Sequence, residues 1–329
     1  MNTKLLAMNC ALALTLVACG DDPGTDAGTD TNVEVTDTGG VEVDAPVATG
    51  CGTDGLRCLT IGTDHMGTPN MACLGQETAP MGDDREISFN LVKRGTATTD
   101  IAGPFEIWTS NVIGASCAAA SADCIAVDEV TGGNAMATVS GGWYAYRAAA
   151  NAAANTFATV GYNRPPAAAG GTDTITTIDA GVFSAAINLI RMGLARDIED
   201  GILLGDAADC DGASLEGVTV RIFNNAGTEL APGTEPNDMG LAYRSDGALP
   251  APRFTTTDES GGYAAANIPI PADDLVNVVT YGTLAEGEAR RVIGCEQVSV
   301  AQNVVTILSL GPSRMDYPVG SVCAMMTAD

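Results

Sequence analysis

Fifteen lysines and arginines against 41 aspartates and glutamates give this 329-residue chain a formal charge of −26, with one histidine and only 5% aromatic residues. Acidity on this scale repels a phosphate backbone, which excludes electrostatically driven nucleic-acid binding and favours solubility and cation attraction instead. Hydrophobic content of 46% suffices for packed cores, while 39 glycines and 15 prolines favour many turns over long helices.

Met1–Gly20 reads MNTKLLAMNCALALTLVACG. Lys4 supplies a positive start, and Leu5–Ala18 an apolar run too short for a bilayer-spanning helix of about 20 residues. The run ends in Leu16-Val17-Ala18-Cys19-Gly20. This ending resembles the bacterial lipobox, and the resemblance implies removal of residues 1–18, with acyl chains such as palmitate on Cys19. One acyl chain anchors only marginally at about 0.8 kcal/mol per buried methylene, so two or three together make attachment stable. The residue after Cys19 is Gly20, and the first acid, Asp21, comes one place later. That order favours the outer membrane over retention at the inner one.

Residues 19–50 form an acidic tether carrying Asp21, Asp22, Asp26, Asp30, Glu34, Asp37, Glu42 and Asp44, without an aromatic, lysine or arginine. So little apolar surface cannot offset ordering entropy, so the sequence predicts a disordered spacer with a coil reach of roughly 30 Å.

Residues 51–82 form a Cys-rich segment with Cys51, Cys58, Cys73 and the single histidine, His65. A Cys₃His zinc site has the right ligand types, but the spacing lacks a tight C-x₂₋₄-C pair, and an oxidising compartment consumes thiols as disulfides. Beyond Cys10 in the leader and Cys19, eight cysteines remain: these three plus Cys117, Cys124, Cys210, Cys295 and Cys323. An even set in an exported chain predicts four bridges. Cys117 and Cys124 flank a short small-residue loop and are expected to pair. Cys210 is expected to pair with Cys295, which leaves Cys323 to join one of the first three.

From Asp83 the strand signal dominates. In Glu86–Lys93, Ile87, Phe89 and Leu91 alternate with Ser88 and Asn90, and Phe105–Trp108, Trp143–Arg147 and Thr156–Tyr162 read as further strands. Thr99–Gly103 and Thr131–Asn134 read as turns. Residues 83–166 are thus predicted to form a first antiparallel β-sandwich. Residues 167–199 are a linker in which Asp179 caps a short helix presenting Phe183, Ala186, Ile187 and Ile190 on one stripe.

Residues 200–311 repeat the strand signal at Val218–Phe223, Ala242–Arg244, Phe254–Thr256, Tyr263–Ala266, Val276–Tyr281, Arg290–Ile293, Gln297–Val300 and Val304–Leu310, before a tail at 312–329. Such spacing predicts a second sandwich, and the overall fold class is all-β: two antiparallel β-sandwich domains of immunoglobulin-like or prealbumin-like type with one linking helix. Ser140-Gly141-Gly142-Trp143 and Ser260-Gly261-Gly262-Tyr263 echo one another, each placing an aromatic after a glycine turn, where it is expected to enter the core.

Three stretches, Asp209-Cys210-Asp211-Gly212, Gly217-Val218-Thr219-Val220 and Thr257-Asp258-Glu259-Ser260-Gly261-Gly262-Tyr263 with Asn267-Ile268-Pro269, resemble the carboxypeptidase regulatory-like, transthyretin-type sandwich. That resemblance implies that Gly-Val-x-Val is an early core strand and that the later motif is a hairpin entering another. The whole layout resembles the lipoproteins of myxobacteria and their relatives, and it implies fold far more than function.

Asp206, Asp209, Asp211 and Glu216 are the densest acids near a glycine. Placing Gly212 at position 6 of a calcium loop puts Ala207 at position 1 and Val218 at position 12, so the EF-hand pattern fails and only a looser sandwich-edge calcium site remains. Lys93, Asn163 and Glu106 have the residue types of an intramolecular isopeptide. No G-x-S-x-G, HExxH or P-loop occurs in the sequence. The sequence therefore predicts a non-enzymatic lipoprotein held at the outer membrane by its lipid. It would act as a structural spacer or as a binding module for a glycan or protein, without nucleic acid and without a cofactor unless calcium. A calcium-dependent surface adhesin and an extracytoplasmic hydrolase using carboxylates are the alternatives.

Overall fold

Alternation at the start of the sandwich region sets the pattern: Ile87, Phe89 and Leu91 are sealed from solvent while Glu86 and Ser88 are not. A computed structural model describes residues 51–63, 65–76, 83–94, 98–109, 113–114, 117, 124–130, 135–139, 143–181, 200–233, 238–244, 254–314 and 317–326. Strands β1 (Arg85–Arg94), β2 (Thr98–Asp100), β3 (Gly103–Trp108), β4 (Cys124–Val130), β5 (Ala135–Val139), β6 (Tyr144–Ala148), β7 (Ala158–Arg164) and β8 (Thr172–Ile178) come from the first half. The second half supplies β9 (Gly201–Ala207), β10 (Thr219–Asn224), β11 (Gly240–Tyr243), β12 (Gly262–Ile268), β13 (Leu275–Gly282), β14 (Arg291–Ser299) and β15 (Val304–Leu310), followed by a helical turn at Val322–Met326.

The all-β sandwich architecture is as the sequence predicts, but the two halves share a sheet. Eight strands run in the order β11-β12-β9-β15-β7-β6-β3-β4. β15 lies between the halves, parallel to β7 on one side and to β9 on the other, so backbone hydrogen bonds cross the boundary read at 167–199. A four-stranded sheet, in which β1 pairs with β2, β5 and β8, packs on one face of this shared sheet. A three-stranded sheet, β10-β13-β14, packs on the other. Side chains on successive residues of a strand point to opposite faces, and the two cores follow that rule. Phe105 and Ile107 of β3 and Tyr144 and Tyr146 of β6 enter the core under the four-stranded sheet. Trp108 and Ala145 enter the core under the three-stranded sheet, together with Leu203, Val220, Ile222, Val276 and Val278.

Burial on both faces explains why β12, GYAAANI, shows no polar alternation and is buried throughout. Small residues are also needed where a large ring crosses from the next strand. Tyr146 lies opposite Gly161 and Tyr263 opposite Gly205, and a Cβ at either glycine would stand 2.2 Å from the facing ring. The glycine–aromatic echo therefore resolves differently in its two copies. Tyr263 is 2% exposed and enters the core, whereas Trp143 is 45% exposed and Tyr144, one residue later, is the one sealed.

Other expectations change at the level of elements. Thr98–Asp100, which overlaps the Thr99–Gly103 stretch read as a turn, pairs with β1 as a short strand. Phe254–Thr256 is a bend and not a strand, and the two runs from Arg290 to Val300 join into β14. β8 lies inside the stretch read as linker, paired parallel to β1. The helix begins at Ala180, with the Asp179 carboxylate accepting the Gly181 N–H at 2.9 Å, but Phe183, Ala186, Ile187 and Ile190 lie outside the described residues, as do Cys19 and the tether. No described helix is long and apolar enough to cross a membrane.

Candidate functional site

The acids singled out in the sequence lie in and beside the loop between β9 and β10, and the Cys-rich segment is strapped across that loop. Leu59 is the apolar anchor of the strap, 3% exposed and packed with Ala207, Leu215, Val218 and Ile293. Backbone bonds zip it on: Thr60 and Glu216 exchange N–H···O=C bonds of 3.4 and 2.9 Å, and the Leu59 N–H donates to Thr283 at 2.9 Å. Gly217 has φ +85°, and a Cβ there would stand 2.8 Å from the Cys58 carbonyl, so this glycine serves both the left-handed turn and the close passage of the strap.

Glu216 is the polar centre of the contact. Its side chain is 4% exposed. One carboxylate oxygen accepts Arg57 Nη1 at 2.6 Å, and the other accepts the Thr60 hydroxyl at 2.9 Å and lies 2.7 Å from His65 Nδ1. A carboxylate taken this far from water needs its lone pairs filled, and residues of the strap fill them. Asp209, also buried, ties its own loop to the strap. It accepts the N–H groups of Asp211 and Ala213 on one oxygen and of Asn70 on the other, all at 2.9–3.0 Å. Asp211 receives the Asn70 amide at 3.0 Å. Asp206 is separate, on β9, where it accepts the Ser309 hydroxyl at 3.1 Å and burial pushes its carboxyl above the usual range. The four acids proposed as an edge site for calcium are thus spread over different partners, and no group of three or more His, Cys, Asp or Glu side chains gathers as a metal site among the described residues.

All eight cysteines read as disulfide candidates are joined. Cys117–Cys124 forms as the short loop between them suggests. The expected Cys210–Cys295 pair is corrected: Cys73 joins Cys210, Cys295 joins Cys323, and Cys51 joins Cys58. The tail therefore folds onto β14 and not onto the Cys-rich segment, because Val322 and Cys323 bury against Phe223, Val279 and Cys295. Zinc loses its ligands in the same stroke, since Cys51, Cys58 and Cys73 are bonded as disulfides and present no thiolate. At the entrance of the strap, Arg290 Nε lies 3.0 Å from Asp54 and its Nη1 donates to Thr219 at 2.7 Å. The Leu56 N–H that Asp54 accepts, with Arg290 beside it, holds the Asp54 carboxyl below its ordinary value.

The isopeptide triad does not assemble. Lys93 Nζ lies 3.0 Å from Asp179 and donates to the Ala154 carbonyl. Asn163 donates to Glu296, and Glu106 receives Arg147 at 2.6 Å and the Trp108 indole. The Gly-Val-x-Val and Thr-Asp motifs do meet. The Thr257 hydroxyl accepts the Val218 N–H at 3.0 Å and donates to the Leu215 carbonyl at 2.8 Å, both buried. Sequence reasoning missed Glu216 as the receptor for the strap. Its only signal was an acid next to a glycine, and its partners lie more than 150 positions earlier in the chain.

No protein-family model matches the chain, and no curated protein matches it. Among solved structures it is similar to the TIE protein of Bacillus anthracis, at 12% identity and a TM-score of 0.19, covering 68% of this chain and 34% of that one. It is similar to a minor pilin of Streptococcus agalactiae, at 11% identity and a TM-score of 0.20, covering 69% of this chain and 96% of that one. A shaft pilin of Lactobacillus rhamnosus stands at 13% identity and a TM-score of 0.20, with 69% and 98% covered. Likeness at this level defines neither family nor activity.

Proposed function

We propose that this chain is a lipid-anchored display protein of the outer membrane. It carries acyl groups on Cys19, spans the headgroup region with the acidic tether of residues 19–50, and presents its sandwiches as a non-enzymatic binding or spacing module. The observation that carries the reading is the strap. Cys51, the first described residue after the tether, is fastened through Cys51–Cys58, Arg290–Asp54, the Glu216 contacts and Cys73–Cys210, so a pull on the tether is delivered to a covalently stapled body. An anchored protein transmits load through such a joint, while a freely diffusing one draws only stability from it. The absence of a catalytic motif in the sequence supports a role in binding a glycan or protein. Metabolic labelling with an alkyne fatty acid in the native host tests the anchor. Label on the protein that vanishes in Cys19→Ala, with release from the membrane fraction, is expected; an unlabelled wild-type protein overturns the reading.

A further inference from the structure

One strand buries an amide where an apolar side chain would be expected. Asn277 lies mid-strand in β13 between Val276 and Val278 and is fully buried. Burying an amide among apolar neighbours costs free energy unless it is hydrogen-bonded, and a valine there would continue the strand at no such cost. Asn277 instead directs its Nδ2 to Asn225 Oδ1 at 3.0 Å, and the same oxygen accepts Gln297 Nε2 at 2.6 Å. Asn225 in turn donates to Asp273 at 2.6 Å. Register puts Gln297 directly opposite Asn277. Asn225, Asp273 and Gln297 are all exposed. One buried amide thus fixes a surface array of two amides and a carboxylate whose remaining donors and acceptors point to solvent.

The position of the array fits its chemistry. β10 starts at Thr219, which Arg290 and Asp54 tie to the strap, and ends at Asn224 beside the array. The array therefore lies at the far end of that strand from the tether entrance, about 20 Å away at the usual rise per residue. Half-exposed Met325 approaches the same 225–228 turn at Gly227, adding an apolar contact at its side. Resting on the display reading above and naming its ligand, we propose that Asn225, Asp273 and Gln297, positioned by Asn277, form a binding site for a neutral glycan. Adjacent amide and carboxylate groups match the alternating donors and acceptors of vicinal sugar hydroxyls, and a net charge of −26 disfavours sulfated or sialylated chains.

The test probes an array of neutral, sialylated and sulfated glycans with the fluorescently labelled, detergent-solubilised full-length lipoprotein, disulfides intact. Retention on neutral glycans is expected, and Asn225→Ala, Asp273→Ala or Gln297→Ala should each weaken it about tenfold, the loss of roughly one strong hydrogen bond. Asp273→Ala and Gln297→Ala, at exposed side chains, keep the wild-type melting curve, while Asn225→Ala also removes the acceptor of the buried Asn277 amide and lowers it. Asn277→Val separates positioning from stability: binding should fall about tenfold while the melting temperature holds or rises. Retention on no neutral glycan, binding indifferent to the three surface variants, or a preference for sulfated chains overturns the assignment. A protein that is lipidated at Cys19 but binds no glycan refutes this inference alone. One that binds through these residues without lipid refutes only the anchor.

Discussion

Replacing Glu216 by alanine tests whether the strap is held by that one carboxylate. Three contacts are lost: Arg57 at 2.6 Å, Thr60 at 2.9 Å and His65 at 2.7 Å. The two charged partners are 39% and 47% exposed, so each recovers water and counts as a surface pair of about 0.2–1 kcal/mol, the histidine only when protonated. The Thr60 bond, to a nearly buried carboxylate, adds about 1–1.5 kcal/mol. Their sum is about 2 kcal/mol, which for a body of this size lowers the melting temperature by roughly 4–8 °C. The loss is local, because Cys73–Cys210 and Leu59 still hold the strap. Hydrogen exchange at the backbone amides of the strap should therefore rise by more than tenfold and by more than at surface amides of the other strands, and Glu216→Gln should fall between wild type and alanine. An unchanged melting temperature with unchanged exchange over 57–67 would show that Leu59 and the disulfide suffice and that the carboxylate contributes nothing.

Four further outcomes follow from other parts of the molecule. Replacing Cys73 and Cys210 together by serine opens a closed loop spanning 137 positions, and denaturant unfolding should show a loss of about 3–5 kcal/mol. Gly205→Ala drives a Cβ to 2.2 Å from a ring that is 2% exposed, so it should cost about 1–3 kcal/mol; Gly311→Ala, with open space around it, should be silent in the same melting assay. Burial raises the folded-state pKa of Asp206 above 3.8, so the stability linked to its protonated form is full below pH 3.8 and is lost as pH rises through the folded value. Asp206→Asn should accordingly stabilise the protein at pH 7 and make no difference near pH 3, with the gap opening between them in a pH series of unfolding curves. Millimolar calcium should leave the melting temperature unchanged, since the four candidate acids do not converge; a reproducible rise would restore the adhesin alternative.

The local pattern of the strands was legible in the sequence because it depends only on neighbours. Alternation at Ile87, Phe89 and Leu91 marks one buried face, Asp179 marks a helix start, and a short loop brings Cys117 to Cys124. What the sequence withheld is pairing over distance. β15 joins β7 to β9, Cys73 reaches Cys210, Cys323 chooses Cys295, and Glu216 receives a strap from more than 150 positions away. Side-chain period fixes which face a residue takes, whereas the choice of partner strand is fixed by filling two cores on opposite faces of one sheet. Two tyrosine-over-glycine contacts, one buried asparagine and one acid beside Gly217 acquire their meaning only there, because each is defined by an atom that the fold brings from elsewhere in the chain.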